Sequence, residues 1–151
     1  MENVMIFVWD DSYNVNIKTI DDQHRKWLKL INELYEHAEG GKALENMAYL
    51  KAAFDSAIAY TKYHLRYEEK LLLLYEYPGF KEHKKIHDDF EKRLVHFIRR
   101  FDRITYTKPE VLLHDVILSF VDWMVDHIKN DDRDYVAFLK EKGLTDFQST
   151  G

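Results

Sequence analysis

Glycine and proline end helices more often than other residues, and here they are few and widely separated. Two prolines and five glycines occur in 151 residues, and the breaks fall at Gly40-Gly41, Pro78-Gly79, Pro109 and Gly143. Between the breaks, apolar residues recur at spacings of three and four, the period of a helix with one buried face. The pattern predicts a first helix over about Asp21 to Glu39, with Asp21 or Asp22 in its first turn and Trp27, Leu28, Ile31, Leu34 and Tyr35 on its buried face. A second should span about Ala43 to Tyr75 with Leu50, Phe54, Ala57, Ile58 and Leu65 inward, and stop before Pro78. A third should span about Phe80 to Arg103, and a fourth should start at Pro109 and carry Leu113, Val116, Ile117, Phe120, Trp123 and Met124. An extended N-terminal arm to about Ile20 and a short C-terminal helix over about Arg133 to Lys142 complete the reading. Short connections force neighbouring helices to run antiparallel. The expected fold is therefore an all-α, up-down-up-down four-helix bundle, with residues 1–151 forming one domain.

Composition removes several functions. With no cysteine, disulfides, thiolate metal sites and iron–sulfur clusters are excluded, so any metal must be held by nitrogen and oxygen. The net charge is −5 and the basic residues are dispersed, which speaks against nucleic acid or an anionic membrane as partner. Glu2 stands where a secretory leader would be basic, and the apolar run Leu71 to Tyr75 is far short of the ~20 residues that span a bilayer. A cytoplasmic protein with no membrane partner is expected.

Eight histidines carry the functional signal. His83 and His87 are four apart, as are His64 and Glu68, which offsets each pair by only ~40° on a helix. Either pair alone is weak evidence, because such spacings arise by chance. Topology strengthens them. In an up-down-up-down bundle the start of the first helix, the end of the second, the start of the third and the end of the fourth share one end. His24, His64 with Glu68, His83 with His87, and His127 occupy those four places. The interval from His24 to His64 also equals that from His87 to His127, each climbing one helix and descending the next. His37, His96 and His114 act as internal controls, lying ~180–220° around their helices from the nearest of the five, and read as surface residues.

A carboxylate after His127 is harder to place. Asp132 would lie ~140° away on an ideal helix. Asn130-Asp131-Asp132 is a run of poor helix formers, however, so the helix can end or loosen and turn one carboxylate inward. The residues by themselves leave Asp131 and Asp132 both open.

Taken together, Trp9-Asp10, Asp22-Gln23-His24, His64-x-x-x-Glu68-Glu69, Gly79-Phe80-x-x-His83-x-x-x-His87 and Trp123-x-x-x-His127-Ile128-x-x-x-Asp132 resemble the haemerythrin family, especially its single-domain prokaryotic members. The resemblance covers nearly the whole chain and selects Asp132. It implies that His83, His87 and His127 bind one iron ion and His24 and His64 a second. Glu68 and Asp132 would bridge both, together with an oxo or hydroxo group. Counting ligands then leaves one coordination position open, on the iron with two histidines, where dioxygen can bind. Five neutral imidazoles against two carboxylates stabilise high-valent iron less than a carboxylate-rich set would, which favours reversible binding over O–O cleavage.

The resemblance also implies an oxygen pocket lined by Leu65, Trp123, Met124 and Ile128. Leu65 and Met124 depart from the family's usual Phe and Leu, are more flexible, and read first as core packing. Trp9, Trp123 and Ile128 read as packing that keeps water out. The expected function is dioxygen carriage, storage, scavenging or delivery by a non-enzyme, with a monomer as the favoured state. Competing readings are oxygen or redox sensing through a separate protein partner, peroxide or nitric oxide reduction at the same irons, and zinc or iron storage.

Overall fold

The structure is a computed structural model that describes residues 8–38, 47–103 and 109–144, with side chains from His114 onward in the last stretch. The expected helix ends at Gly40-Gly41, the start near Ala43 and the inward Leu113 lie outside what is described. Four long helices appear: α1 Lys18–Ala38, α2 Met47–Leu74, α3 Phe80–Asp102 and α4 Pro109–Asp126, followed by the short α5 Val136–Glu141. Among the described residues there is no strand. Each helix packs on its sequence neighbour, and α1 closes the ring against α4. Contacts between opposite ends give the direction: Phe54 near the start of α2 stacks on Phe101 at the end of α3, with ring centroids 4.5 Å apart. At the other end, His24 of α1 meets His64 of α2 at 4.8 Å. The bundle is antiparallel, as the short connections require.

Three boundaries differ from expectation, each for a local reason. The N-terminal arm is not simply extended. Asp11–Tyr13 form a 3₁₀ turn, and α1 begins at Lys18, three residues before Asp21. Val15 and Ile17 do face inward while Asn16 between them is exposed, but Asn16 has φ +61° and bends the chain. Asp21 holds that bend, its two carboxylate oxygens accepting the Val15 N–H at 2.8 Å and the Asn16 N–H at 3.0 Å. Asp21→Ala would leave the buried Val15 N–H without its acceptor. We expect a loss of about 1–3 kcal/mol, read as a lower urea midpoint at unchanged m-value.

The end of α2 is set by more than Pro78. Glu76 adopts φ +54°, the Tyr77 N–H bonds the Leu72 carbonyl at 2.9 Å, and the Glu76 N–H bonds that of Leu73 at 3.1 Å. This is a Schellman closure with glutamate in the place glycine usually takes. Gly143 closes α5 in the same way, with φ +89° and a Leu144 N–H to Leu139 carbonyl bond. Lastly, the expected helix from about Arg133 resolves into a 3₁₀ turn, Asp132–Tyr135, followed by α5.

Among the described residues, apolar side chains form two clusters. The larger fills the bundle and includes Trp27, Leu65, Phe90, Phe120, Met124 and Ile128. The smaller joins Val15, Ile17, Ile20, Leu72, Tyr135, Leu139 and Leu144 over one end. Along every long helix a layer of buried polar residues lies between them: His24 follows Ile20, Glu68 precedes Leu72, and on the chain leaving α4 Asp132 precedes Tyr135. No described helix is long and apolar enough to cross a membrane.

Candidate metal centre

That polar layer contains all seven residues picked out in the sequence. His24, His64, Glu68, His87, His127 and Asp132 are 0% exposed and His83 is 4% exposed. Of the control histidines, His37 and His96 are exposed, and the partly buried His114 lies against Tyr35, ring centroids 5.9 Å apart, far down α4.

Asp132 reaches the layer because the helix widens rather than ends. His127–Asp131 form a π-helical turn, and the Asp132 N–H bonds the His127 carbonyl. An i→i+5 bond brings the fifth residue back beneath the first, so a spacing that points away on an α-helix points inward here. Asp131, four residues on, accepts instead from the outer nitrogen of His127, Oδ2 to Nδ1 at 2.9 Å. Both open candidates therefore act on His127, from opposite sides.

The two carboxylates straddle the layer. Glu68 Oε1 faces Nε2 of His83 in close contact, His87 at 3.1 Å and His127 at 3.6 Å. Its Oε2 faces His64 Nε2 at 3.5 Å. Asp132 Oδ1 lies 2.9 Å from His127 Nε2 and 3.4 Å from His83 Nε2, and Oδ2 lies 2.9 Å from His24 Nε2. Each carboxylate thus gives one oxygen to a three-histidine group and one to a two-histidine group. The ligand atoms of each group lie within 4.8 Å of one another.

Several of these approaches are not hydrogen bonds. His24 Nε2, His64 Nε2 and both Asp132 oxygens are buried and have no hydrogen-bond partner among the described residues, despite contacts as short as 2.9 Å. Such atoms are expensive to bury unless an ion or a water lies between them. Two further rings already donate outward from Nδ1: His64 to Gln23 Oε1 at 2.7 Å and His87 to Glu69 Oε1 at 3.0 Å. That leaves the inward Nε2 as the natural lone-pair donor. Nitrogen and oxygen donors, oriented from outside and converging inside, fit metal ions.

Electrostatics point the same way. Burial and the neighbouring His24 push the His64 pKa down to about 3, so its ring stays neutral. Burial acts to raise the pKa of Glu68, but the imidazoles of His127, His83 and His87 facing it outweigh that and hold the carboxyl well below the usual range. For His127, burial is outweighed by the charge of Asp132 and the bond to Asp131, and its pKa rises well above normal. A proton held between imidazole and carboxylate is what a bound cation replaces.

The structure adds roles the sequence did not reveal. Tyr135 is fully buried and its hydroxyl donates to Glu68 Oε2 at 2.9 Å. Gln23 and Glu69 hold imidazoles that belong to other helices, so no spacing could have paired them. Asp131, by contrast, had a legible signal in its four-residue offset from His127. Trp123 stacks on His127 at 4.5 Å, while Leu65, Met124 and Ile128 are fully buried in the larger apolar cluster. Trp9 packs at that cluster's edge and bonds Asn14.

An antiparallel helical bundle with a buried, cysteine-free layer of histidine and carboxylate donors defines a class of cation-binding helical protein. Residues 15–139 match the Hemerythrin HHE cation binding domain. The chain belongs to the hemerythrin family. It is 30% identical over 133 residues to a bacteriohemerythrin of Pseudomonas aeruginosa (strain LESB58), covering 88% of this chain and 81% of the relative. It is 27% identical to a bacteriohemerythrin of Clostridium acetobutylicum, over 87% of this chain and 99% of that one. Myohemerythrin of Riftia pachyptila is 28% identical, over 88% and 93% of the two chains.

Proposed function

We propose that His83, His87 and His127 hold one iron ion, His24 and His64 hold a second, and Glu68 and Asp132 bridge them, in a protein that binds dioxygen reversibly. The observation that carries this reading is the straddling geometry: both carboxylates offer one oxygen to each histidine group. When bound, an iron pair of this kind supplies an open coordination position and the electrons that dioxygen takes up on binding. The chain's own residues supply enclosure and orientation. Leu65, Met124 and Ile128, fully buried, exclude water on the bundle side, and Trp123 braces His127. Tyr135 and Leu139 cover the opposite side.

Tyr135 donates its hydroxyl hydrogen to Glu68 Oε2 at 2.9 Å and so fixes that carboxylate from the covered side of the site.

The test is to load the metal-free chain anaerobically with two ferrous ions per chain and admit oxygen. The visible charge-transfer band should appear with oxygen, vanish on degassing, and return. A single irreversible conversion to the ferric form overturns the proposal. His127→Ala should lose metal and colour together, and His96→Ala should change neither.

A further inference from the structure

The hydrogen bonds on the outer nitrogens of the imidazoles divide along the same line as the inner contacts. In the three-histidine group, His87 Nδ1 donates to Glu69 at 3.0 Å and His127 Nδ1 to Asp131 at 2.9 Å. Both acceptors are carboxylates; the third ring, His83, has no outer hydrogen bond among the described residues. In the two-histidine group, His64 Nδ1 donates to the neutral amide of Gln23 at 2.7 Å, and His24 Nδ1 has no hydrogen bond among the described residues.

Glu69 is also fixed from outside. Arg66 Nη1 lies 2.7 Å from each Glu69 oxygen, and its Nη2 bonds Glu91 at 2.5 Å. The side chain of Glu69 is 9% exposed, so this guanidinium and His87 are what keep its charge in place. A carboxylate that accepts from Nδ1 pulls that proton outward, raises the electron density at Nε2 and locks the ring angle. An amide does so weakly, and an unbonded Nδ1 not at all.

We infer that the two metal positions fill in order, the one bounded by His83, His87 and His127 first, and that Glu69 and Asp131 are positioning residues that set this order through the outer hydrogen bonds. The inference rests on the two-metal reading above. Its consequence is functional: a chain short of metal keeps an ion on the three-histidine side and lacks the one on the His24–His64 side. That second ion is the one with fewer protein donors, hence the one with room for an external ligand.

The test uses Zn²⁺, which is redox-silent, added to the metal-free full chain and followed by imidazole ¹⁵N resonances and by competition with a chelator. The first equivalent should shift His83, His87 and His127, and the second His24 and His64, with dissociation constants at least ~10-fold apart. Glu69→Gln and Asp131→Asn should each weaken the first position by roughly 10–100-fold, the usual effect of losing an outer partner, and blur the order. Gln23→Glu adds a charge without removing a bond, and should strengthen the second position. If all five histidines shift together with the first equivalent, or if Glu69→Gln and Asp131→Asn leave the first constant unchanged, the ordering is overturned while the two-metal reading stands. If two equivalents shift no histidine, the two-metal reading itself fails.

Discussion

Replacing Glu68 with alanine should abolish metal binding at both positions at once. Glu68 belongs to both ligand groups, with one oxygen toward His83, His87 and His127 and the other toward His64. Its loss would remove a donor from each proposed ion and one of the two carboxylates that would offset their charge. The affinity should fall by more than the ~100-fold upper range for outer partners, and metal content measured by elemental analysis should drop well below one ion per chain. His24→Ala, which touches only the two-histidine group, should instead retain one. Thermal stability gives an independent readout. A ligand present at ~100 times its Kd stabilises a folded protein by about 2.7 kcal/mol. Added metal should therefore raise the melting temperature of the wild-type chain and leave that of Glu68→Ala unchanged. A Glu68→Ala chain that still held two ions would refute the shared role.

Truncating Phe90 to alanine should cost about 3–5 kcal/mol of stability. Phe90 is 0% exposed, lies face to face with Trp123 at 3.4 Å and meets Phe120 at 5.5 Å. For a domain of this size the melting temperature should fall by roughly 6–20 °C. The effect should also reach the metal centre. Trp123 stacks on both Phe90 and His127, and without Phe90 it should no longer fix the His127 ring. Phe54→Ala is the matching control: Phe54 stacks on Phe101 at the far end of the bundle. It should be similarly destabilising and leave metal affinity unchanged. Equal metal affinity in Phe90→Ala and wild type would show that the stack is packing alone.

How much of the centre could be read in advance followed from helix geometry. Where the backbone is a regular α-helix, side-chain direction is fixed by residue number, so His64 with Glu68 and His83 with His87 fell on shared faces as their spacing dictates. Where the pitch changes, that arithmetic fails. The five residues from His127 to Asp132 would point apart on an α-helix, and only the π-helical turn aligns them. Glu76 shows the same limit in the backbone: its positive φ has no compositional mark, whereas Gly143 announces itself.

The sequence by itself determined the number and rough extent of the helices, their antiparallel order and the depth at which five histidines meet. These depend on periodicity and chain breaks, which are local properties. Tertiary structure decided which oxygen of each carboxylate faces which histidine group, and which outer partner holds each ring. It also decided that Tyr135 would reach Glu68 from sixty-seven residues away. Those outcomes depend on the rotation of helices against one another and on one widened turn. Neither is encoded in the spacing along any single helix, because each is settled by how the two apolar clusters pack on either side of the polar layer.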